Sequence, residues 1–274
     1  MQIVILAGGL AKRLRPLTFK IPKSMIKIHN KPFLEYQIEL LKENGIKDII
    51  LCVGYLGEMI QNYFGDGKNF GVKIKYSYEK DKLLGTGGAL KKAESLLKDE
   101  FFLMYGDSYL LFDYQRIKRD FEKSGRLSLL VVYRNEDKYD KSNVAIEDGM
   151  VKTYDKKNKM RMRAFRKEGM VYIDSGLCVL RKKALESMPE NRFFDLGFLY
   201  QKLVEKKQMS AYEVQKRFYE IGSFSGLKEF EDLIKRGCYD SHKDTGEDSF
   251  RWRRDRPSLL LPSARGVFSL RCNR

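Results

Sequence analysis

Short continuous apolar runs recur along the first half of the chain, separated by stretches with helical spacing. Ile3 to Ala7 reads as a buried strand. Pro32 to Asn44 reads as a helix, with Leu34, Ile38 and Leu41 on one face, Asn30 as its cap, Pro32 in its first turn and Gly45 just past its end. Asp48 to Val53 is a second apolar strand, and Glu58 to Phe64 a short helix. Val72 to Tyr78 alternates as a strand, Gly88 to Leu97 is helical, and Phe101 to Tyr105 is again continuously apolar. Arg116 to Lys123 reads as a helix and Leu127 to Val132 as a buried strand. Strands alternating with helices imply a mostly parallel sheet covered on both faces.

The pattern changes after Arg134. Val144 to Ile146, the turn Asp148-Gly149 and Val151 to Tyr154 read as a β-hairpin with a type I′ turn. Met170 to Leu180 is an apolar strand, Phe194 to Glu205 a helix, Ser210 to Gln215 a strand, and Phe224 to Lys235 a closing helix. The expectation is one domain over 1–238, with a first part of about 1–134 and a smaller mixed part of about 135–238 whose last elements return to the main sheet. Beyond it, residues 239–274 differ in kind. Every basic residue after Lys243 is Arg, the single Trp is there, and no period holds. That tail reads as poorly ordered or foreign to the domain, the alternative being a basic arm for a polyanion.

Composition narrows the class. A chain of 274 residues, 43% hydrophobic and 33% charged, is long enough for a full core. No run is long enough to span a bilayer, and the N-terminal apolar stretch is too short for a signal peptide, so the expected location is cytoplasmic. Cys52 and Cys178 lie inside apolar runs and no cysteine pair has metal-ligand spacing, which favours buried free thiols. The formal charge of +16 favours anionic partners. The basic residues are interleaved with acidic ones and form no recognised nucleic-acid motif, so phosphorylated small molecules are preferred over nucleic acid.

The opening MQIVILAGGLAKRLRPLTFKIPKSM carries the sharpest chemistry. Ligands of an open parallel sheet sit beyond the carboxyl ends of its strands. The first strand ends at Ala7-Gly8-Gly9, where missing side chains let backbone N–H groups face an anion. Arg13 adds a guanidinium fork and Lys23 a movable ammonium. The plain alternative is an ordinary turn with solvated cations. Neither the P-loop nor the dinucleotide fingerprint spacing is present.

The whole string LAGGLAKRLRPLTFKIPKSM resembles the signature loop of the sugar-1-phosphate nucleotidyltransferases, with Ala11 where that signature usually has a third glycine. The resemblance continues to about residue 236. YEKDKLLGTGGAL resembles the base- and sugar-binding stretch of the mannose- and heptose-type guanylyltransferases, and FFLMYGDS the strand that carries a metal-binding Asp. VKTYDKK resembles the segment whose Lys contacts the sugar phosphate, VYIDSGLCVL the sugar-pocket strand, and FYEIGS the site of a second metal carboxylate, commonly Asp and here Glu220. Asn143 stands where the family's pocket often has Gly.

The resemblance implies an α/β, Rossmann-like nucleotide-diphospho-sugar transferase fold with a nucleotide-binding part and a sugar-binding part. It implies a reaction in which a sugar 1-phosphate attacks a nucleoside triphosphate, GTP favoured, giving an NDP-sugar and pyrophosphate. Arg13 and Lys23 are the implied catalytic cations, with Leu6, Ala7, Gly8, Gly9, Gly85 and Thr86 on the nucleotide. Gly106, Lys156 and Asp174 are the candidates for the sugar phosphate and sugar, Glu168 being a weaker one. Asp107 and Glu220 would share one Mg²⁺ bridging both substrates. Bland alternatives stand beside these: a strand-end turn for Asp107, surface charge for Glu220, a solvated loop for Lys156, and a turn opening a helix for Gly85, Thr86 and Gly88. A uridylyl- or thymidylyltransferase on a glucose-type sugar, and a non-catalytic nucleotide-sugar sensor, remain as rivals. The oligomeric state, including a homo-oligomer, stays open.

Overall fold

The computed structural model describes residues 1–79, 82–155 and 170–240, with side chains to 236. Lys156, Glu168 and residues 241–274 therefore lie outside the described residues. In chain order the strands are β1 (Gln2–Leu6), β2 (Lys27–Ile28), β3 (Lys31–Pro32), β4 (Asp48–Val53), β5 (Lys73–Tyr78), β6 (Glu100–Tyr105) and β7 (Ser108–Tyr109). They continue with β8 (Ser128–Arg134), β9 (Val144–Glu147), β10 (Met150–Tyr154), β11 (Tyr172–Arg181), β12 (Met209–Val214) and β13 (Tyr219–Glu220). The helices are α1 (Phe33–Glu43), α2 (Gly57–Phe64), α3 (Gly85–Lys92), α4 (Tyr114–Ser124), α5 (Leu196–Glu205) and α6 (Phe224–Asp240). Residues Met1–Glu231 form one compact unit. No helix among the described residues is long and apolar enough to cross a membrane.

Among the described residues, nine strands form one sheet in the order β5-β4-β1-β6-β11-β8-β12-β10-β9. The expected parallel arrangement holds for β5, β4, β1 and β6 and again for β8 with β12. It fails in between. The later strand β11 inserts antiparallel between β6 and β8, and β10 runs antiparallel to both β12 and β9. The second half thus extends the first half's sheet instead of forming a sheet of its own. The helical crossover through α4 leaves a one-strand gap beside β6, and the ten-residue β11 fills it.

Alternation along β1 explains its continuous apolarity. Ile3 and Ile5 face a core shared with Leu34, Ile38, Ile60, Ile117 and Phe121 of α1, α2 and α4. Val4 faces the opposite core with Leu90, Leu199 and Leu203 of α3 and α5. Both faces are covered, so both need apolar side chains.

Two local expectations change and two hold. Asn30 does not cap α1: with His29 it adopts positive φ in the tight β2–β3 turn, and Pro32 holds the N-cap position without a side-chain bond. The helix closes as expected at Gly45 (φ 75°), where Gly45 and Ile46 N–H groups return to Lys42 and Leu41 carbonyls at 3.0 and 2.8 Å. The helix expected from Gly88 starts at Gly85. The Asp148-Gly149 turn has positive φ at both residues, as a type I′ turn requires.

Candidate active site

The carboxyl end of β1 opens into a cleft of about 370 Å³. Leu6, Ala7, Gly8 and Gly9 form one wall, and Gly85 and Thr86 of α3 another. Gly106 and Asp107, just past β6, approach from the neighbouring strand, with Lys23 reaching in from a 3-10 turn. The glycines permit close chain approach. A Cβ at Gly8 would lie 3.0 Å from the Gly54 nitrogen, and one at Gly106 2.9 Å from the Leu6 carbonyl oxygen. Ala11 lies between Gly9 and Arg13 with φ 46° and ψ 46°. The position thus has the left-handed backbone that suits glycine. Ser24, buried beside Lys23, has a hydroxyl with no hydrogen-bond partner among the described residues.

Two distant segments complete this end of the sheet. The Ile221 N–H donates to the Asp107 carbonyl at 2.9 Å, and β13 pairs with β7 so that Glu220 opposes Ser108. Asp107 and Glu220, far apart in sequence, are therefore brought to neighbouring positions of one ladder. Lys23 forms an ion pair with Asp107. Arg13 runs past Gly222, where a Cβ would come within 2.9 Å of its guanidinium. Glu220 keeps an exposed surface, yet its carboxyl is held above the ordinary carboxylate range. Loss of solvent to the surrounding wall is the main cause, the Asp107 charge adds to it, and Arg13 and Lys23 oppose it. Asp107, Arg13 and Lys23 thus all act on the Glu220 carboxyl. Hard divalent cations favour oxygen donors of this kind, with remaining positions left to phosphate and water, so Asp107 and Glu220 fit such an ion.

Asp174 stands on β11 and is not among the residues that line the cleft. Its carboxylate accepts from the Tyr154 hydroxyl at 2.9 Å and from the Gly176 N–H at 2.8 Å. Asn143 accepts from the Asp174 N–H at 3.0 Å, so its side chain ties β11 to the start of β9. Gly176 lets β11 pass close to a cleft-lining ring, since a Cβ there would lie 3.2 Å from Tyr105 Cδ2 and 2.8 Å from Ser108 Oγ.

The GTGG run has a second use that the sequence did not reveal. Gly87 and Gly88 N–H groups donate to the Phe194 carbonyl at 3.0 and 3.2 Å, and Thr86 Oγ1 accepts from the Leu196 N–H at 2.9 Å. A Cβ on Gly85, Gly87 or Gly88 would lie 2.7, 2.4 or 2.6 Å from atoms of the Arg192–Phe194 segment. These glycines dock that loop, which brings Phe193, 67% exposed, to the cleft mouth.

Sequence reasoning missed Glu79. It is only 9% exposed and lines the cleft, with Oε1 accepting from the Leu84 N–H at 2.5 Å. Burial raises its carboxyl above the ordinary value, against the Leu84 hydrogen bond and the Lys92 charge. In the sequence it is one charge in YEKDK, and only burial singles it out.

The nucleotidyl transferase family model matches residues 2–237. The chain belongs to that family. A D-glycero-α-D-manno-heptose 1-phosphate guanylyltransferase of Campylobacter jejuni is 35% identical over 223 residues, covering 81% of this chain and 95% of that protein. A UTP–glucose-1-phosphate uridylyltransferase of Synechocystis is 32% identical over 220 residues, 75% of this chain, which spans 55% of that protein's length. Among solved structures, HddC from Yersinia pseudotuberculosis complexed with GMP-PN superposes with a TM-score of 0.69 at 26% identity, covering 85% of this chain and 99% of that one. The nucleotidyl transferase fold and class of reaction expected from the signature loop are thereby established for this chain.

Proposed function

We propose that this nucleotidyltransferase condenses a sugar 1-phosphate with a nucleoside triphosphate, GTP in preference, releasing pyrophosphate. The observation that carries the reading is the Lys23–Asp107 pair at a glycine-lined strand end, with Glu220 brought alongside by the β7–β13 ladder. The relatives named for guanylyl transfer to heptose support GTP. The reaction joins two anions, so it needs positioning and charge neutralisation more than covalent help. A sugar-phosphate oxygen forms the new bond to the α-phosphorus as the bond to pyrophosphate breaks. Backbone N–H groups at Gly8 and Gly9 cradle phosphate oxygens, Arg13 holds the departing pyrophosphate, and Lys23 neutralises the α-phosphate. Asp107 and Glu220 would hold a divalent ion such as Mg²⁺, which would supply charge neutralisation at the phosphates. Gly106 leaves room for the sugar phosphate, Asp174 orients sugar hydroxyls, and Lys156 holds the sugar phosphate from outside the described residues. The buried thiols of Cys52 and Cys178 fit a cytoplasmic enzyme.

The test is pyrophosphate release across four nucleoside triphosphates and a panel of heptose, mannose and glucose 1-phosphates, with and without Mg²⁺. Release with GTP and a manno-configured sugar is expected, and chelation should abolish it. Nucleotide-sugar binding without release from any pair would favour the sensor instead.

A further inference from the structure

Glu220 stands on very little regular structure. Its strand β13 has two residues, pairs with the two-residue β7, and follows a stretch from Gln215 to Phe218 that is neither helix nor strand. A ladder this short supplies few backbone hydrogen bonds, so side chains must set where Glu220 stands. Phe218 packs against the main core. Arg217 reaches three other places at once. Its guanidinium lies 3.9 Å from the centroid of the Tyr139 ring and 5.4 Å from that of Tyr219, and its Nη2 forms an ion pair with Glu229 of α6. A flat, forked cation can stack on a ring and pair with a carboxylate together. Tyr139 is a firm plate for it. The loop between β8 and β9 folds around the buried Asn135, whose Nδ2 donates to the Asp140 carbonyl at 2.6 Å and to Ser142 Oγ at 3.1 Å. Asn135 Oδ1 accepts from the Tyr139 N–H at 3.2 Å. The Asn135 and Glu136 N–H groups both donate to the Val171 carbonyl at 2.9 Å, which ties the loop to the approach to β11. Asp140, next to Tyr139, acts on the Glu220 carboxyl, so the loop comes near the same group.

We propose that Arg217 is a positioning residue for the divalent-ion site: by clasping Tyr139 and Glu229 it holds β13 in place and sets Glu220 opposite Ser108, beside Asp107. This rests on Glu220 being a ligand of the ion. Arg217 acts through Glu220 and not on the substrates. The Arg217–Glu229 side chains keep 32% and 46% of their surface exposed, and a pair this open to solvent adds little to global stability. Its effect therefore falls on the local placement of β13. A brace that served only the fold would lower the melting temperature and leave ion binding alone.

Three measurements on the full chain test this together: Mn²⁺ binding by electron paramagnetic resonance, backbone hydrogen exchange of segments 135–142 and 217–222, and thermal melting. Arg217→Met keeps the stem and loses the charge. Tyr139→Leu loses the ring, and Tyr139→Phe keeps it. Arg217→Met and Tyr139→Leu should each weaken Mn²⁺ binding by about tenfold, speed exchange in both segments and lower the melting temperature by less than about 3 °C. Tyr139→Phe should match the wild type in all three. The double variant Arg217→Met/Tyr139→Leu should lose no more Mn²⁺ affinity than the worse of the two single variants, because both break one contact. Unchanged exchange in a folded Arg217→Met protein would overturn the clasp. Faster exchange with wild-type Mn²⁺ affinity, where Glu220→Gln does weaken Mn²⁺, would overturn the positioning role. Mn²⁺ binding insensitive to Glu220→Gln would instead remove Glu220 from the ion site of the proposed function, and faster exchange in Arg217→Met would then leave the clasp standing without that role.

Discussion

At Ala11 the backbone is left-handed while the residue carries a methyl group. An L-residue there costs about 1–2 kcal/mol, and glycine's extra freedom in the unfolded chain offsets part of any relief. Ala11→Gly should therefore stabilise the fold by about 0.5–1 kcal/mol, raising the melting temperature by about 1–4 °C. A drop in melting temperature would show that the loop exploits the alanine. The two cations separate by role. Lys23 pairs with Asp107 while both side chains keep about a fifth of their surface exposed, so the pair adds at most about 1 kcal/mol to stability. Lys23→Ala should leave melting nearly unchanged yet cut kcat by about 10²–10³-fold, because its charge faces oxygens that change during transfer. Arg13→Ala should mainly raise KM for the triphosphate. Small and equal effects on both constants would return both residues to solvated surface.

At the level of elements, the GTGG run joins one wall of the cleft to the loop ahead of α5. Gly88→Ala gains up to about 1 kcal/mol in helix propensity. The new methyl would stand 2.6 Å from the Arg192 carbonyl oxygen, backbone that cannot simply rotate away. Overpacking of this kind costs about 1–3 kcal/mol, so the variant should be less stable on balance and bind nucleotide more weakly. Urea unfolding and GDP calorimetry measure the two effects, and a more stable variant would mean the loop yields freely. The β7–β13 ladder makes a different claim. Asp107→Asn should nearly abolish turnover and weaken Mn²⁺ binding, and Glu220→Asp should be milder than Glu220→Gln. If both carboxylates act through one ion, the double variant Asp107→Asn/Glu220→Gln should lose far less than the sum of the single losses. Additive losses with unchanged metal dependence would separate the two residues. These elements also mark what the sequence could disclose. The apolar runs of β1, β4 and β6 and the turn at Asp148-Gly149 announce themselves because burial on two faces and positive φ restrict residue choice locally. Placement of β11 between β6 and β8 depends on partners far along the chain, which periodicity does not encode. The two-residue strands β7 and β13 are too short to show any period. The cleft-lining loop was legible as a string of glycines and cations, whereas Glu79 needed its burial to be seen.

Across the whole molecule, charge sets how the anionic substrates arrive. The chain carries a formal +16, and residues 241–274 supply eight basic and four acidic residues, or +4 of that total. The family model ends at residue 237, before that stretch begins. If the domain's own field guides the triphosphate, its capture rate falls as salt shortens the reach of the charges, about 10 Å at 0.1 M. Raising NaCl from about 0.05 to 0.3 M should then lower kcat/KM for the triphosphate several-fold while kcat changes little, since the chemistry occurs among charges already in contact. Deletion of 241–274 removes only a quarter of the net charge. It should leave the melting temperature, kcat and most of the salt slope in place. A truncated protein that folds and turns over normally but loses its salt slope would make the tail a basic arm that gathers anions. Loss of turnover at equal folded fraction would instead place the tail inside the working enzyme. Stopped-flow binding of a fluorescent nucleoside triphosphate to the full and shortened chains, at the two salt concentrations, distinguishes these outcomes.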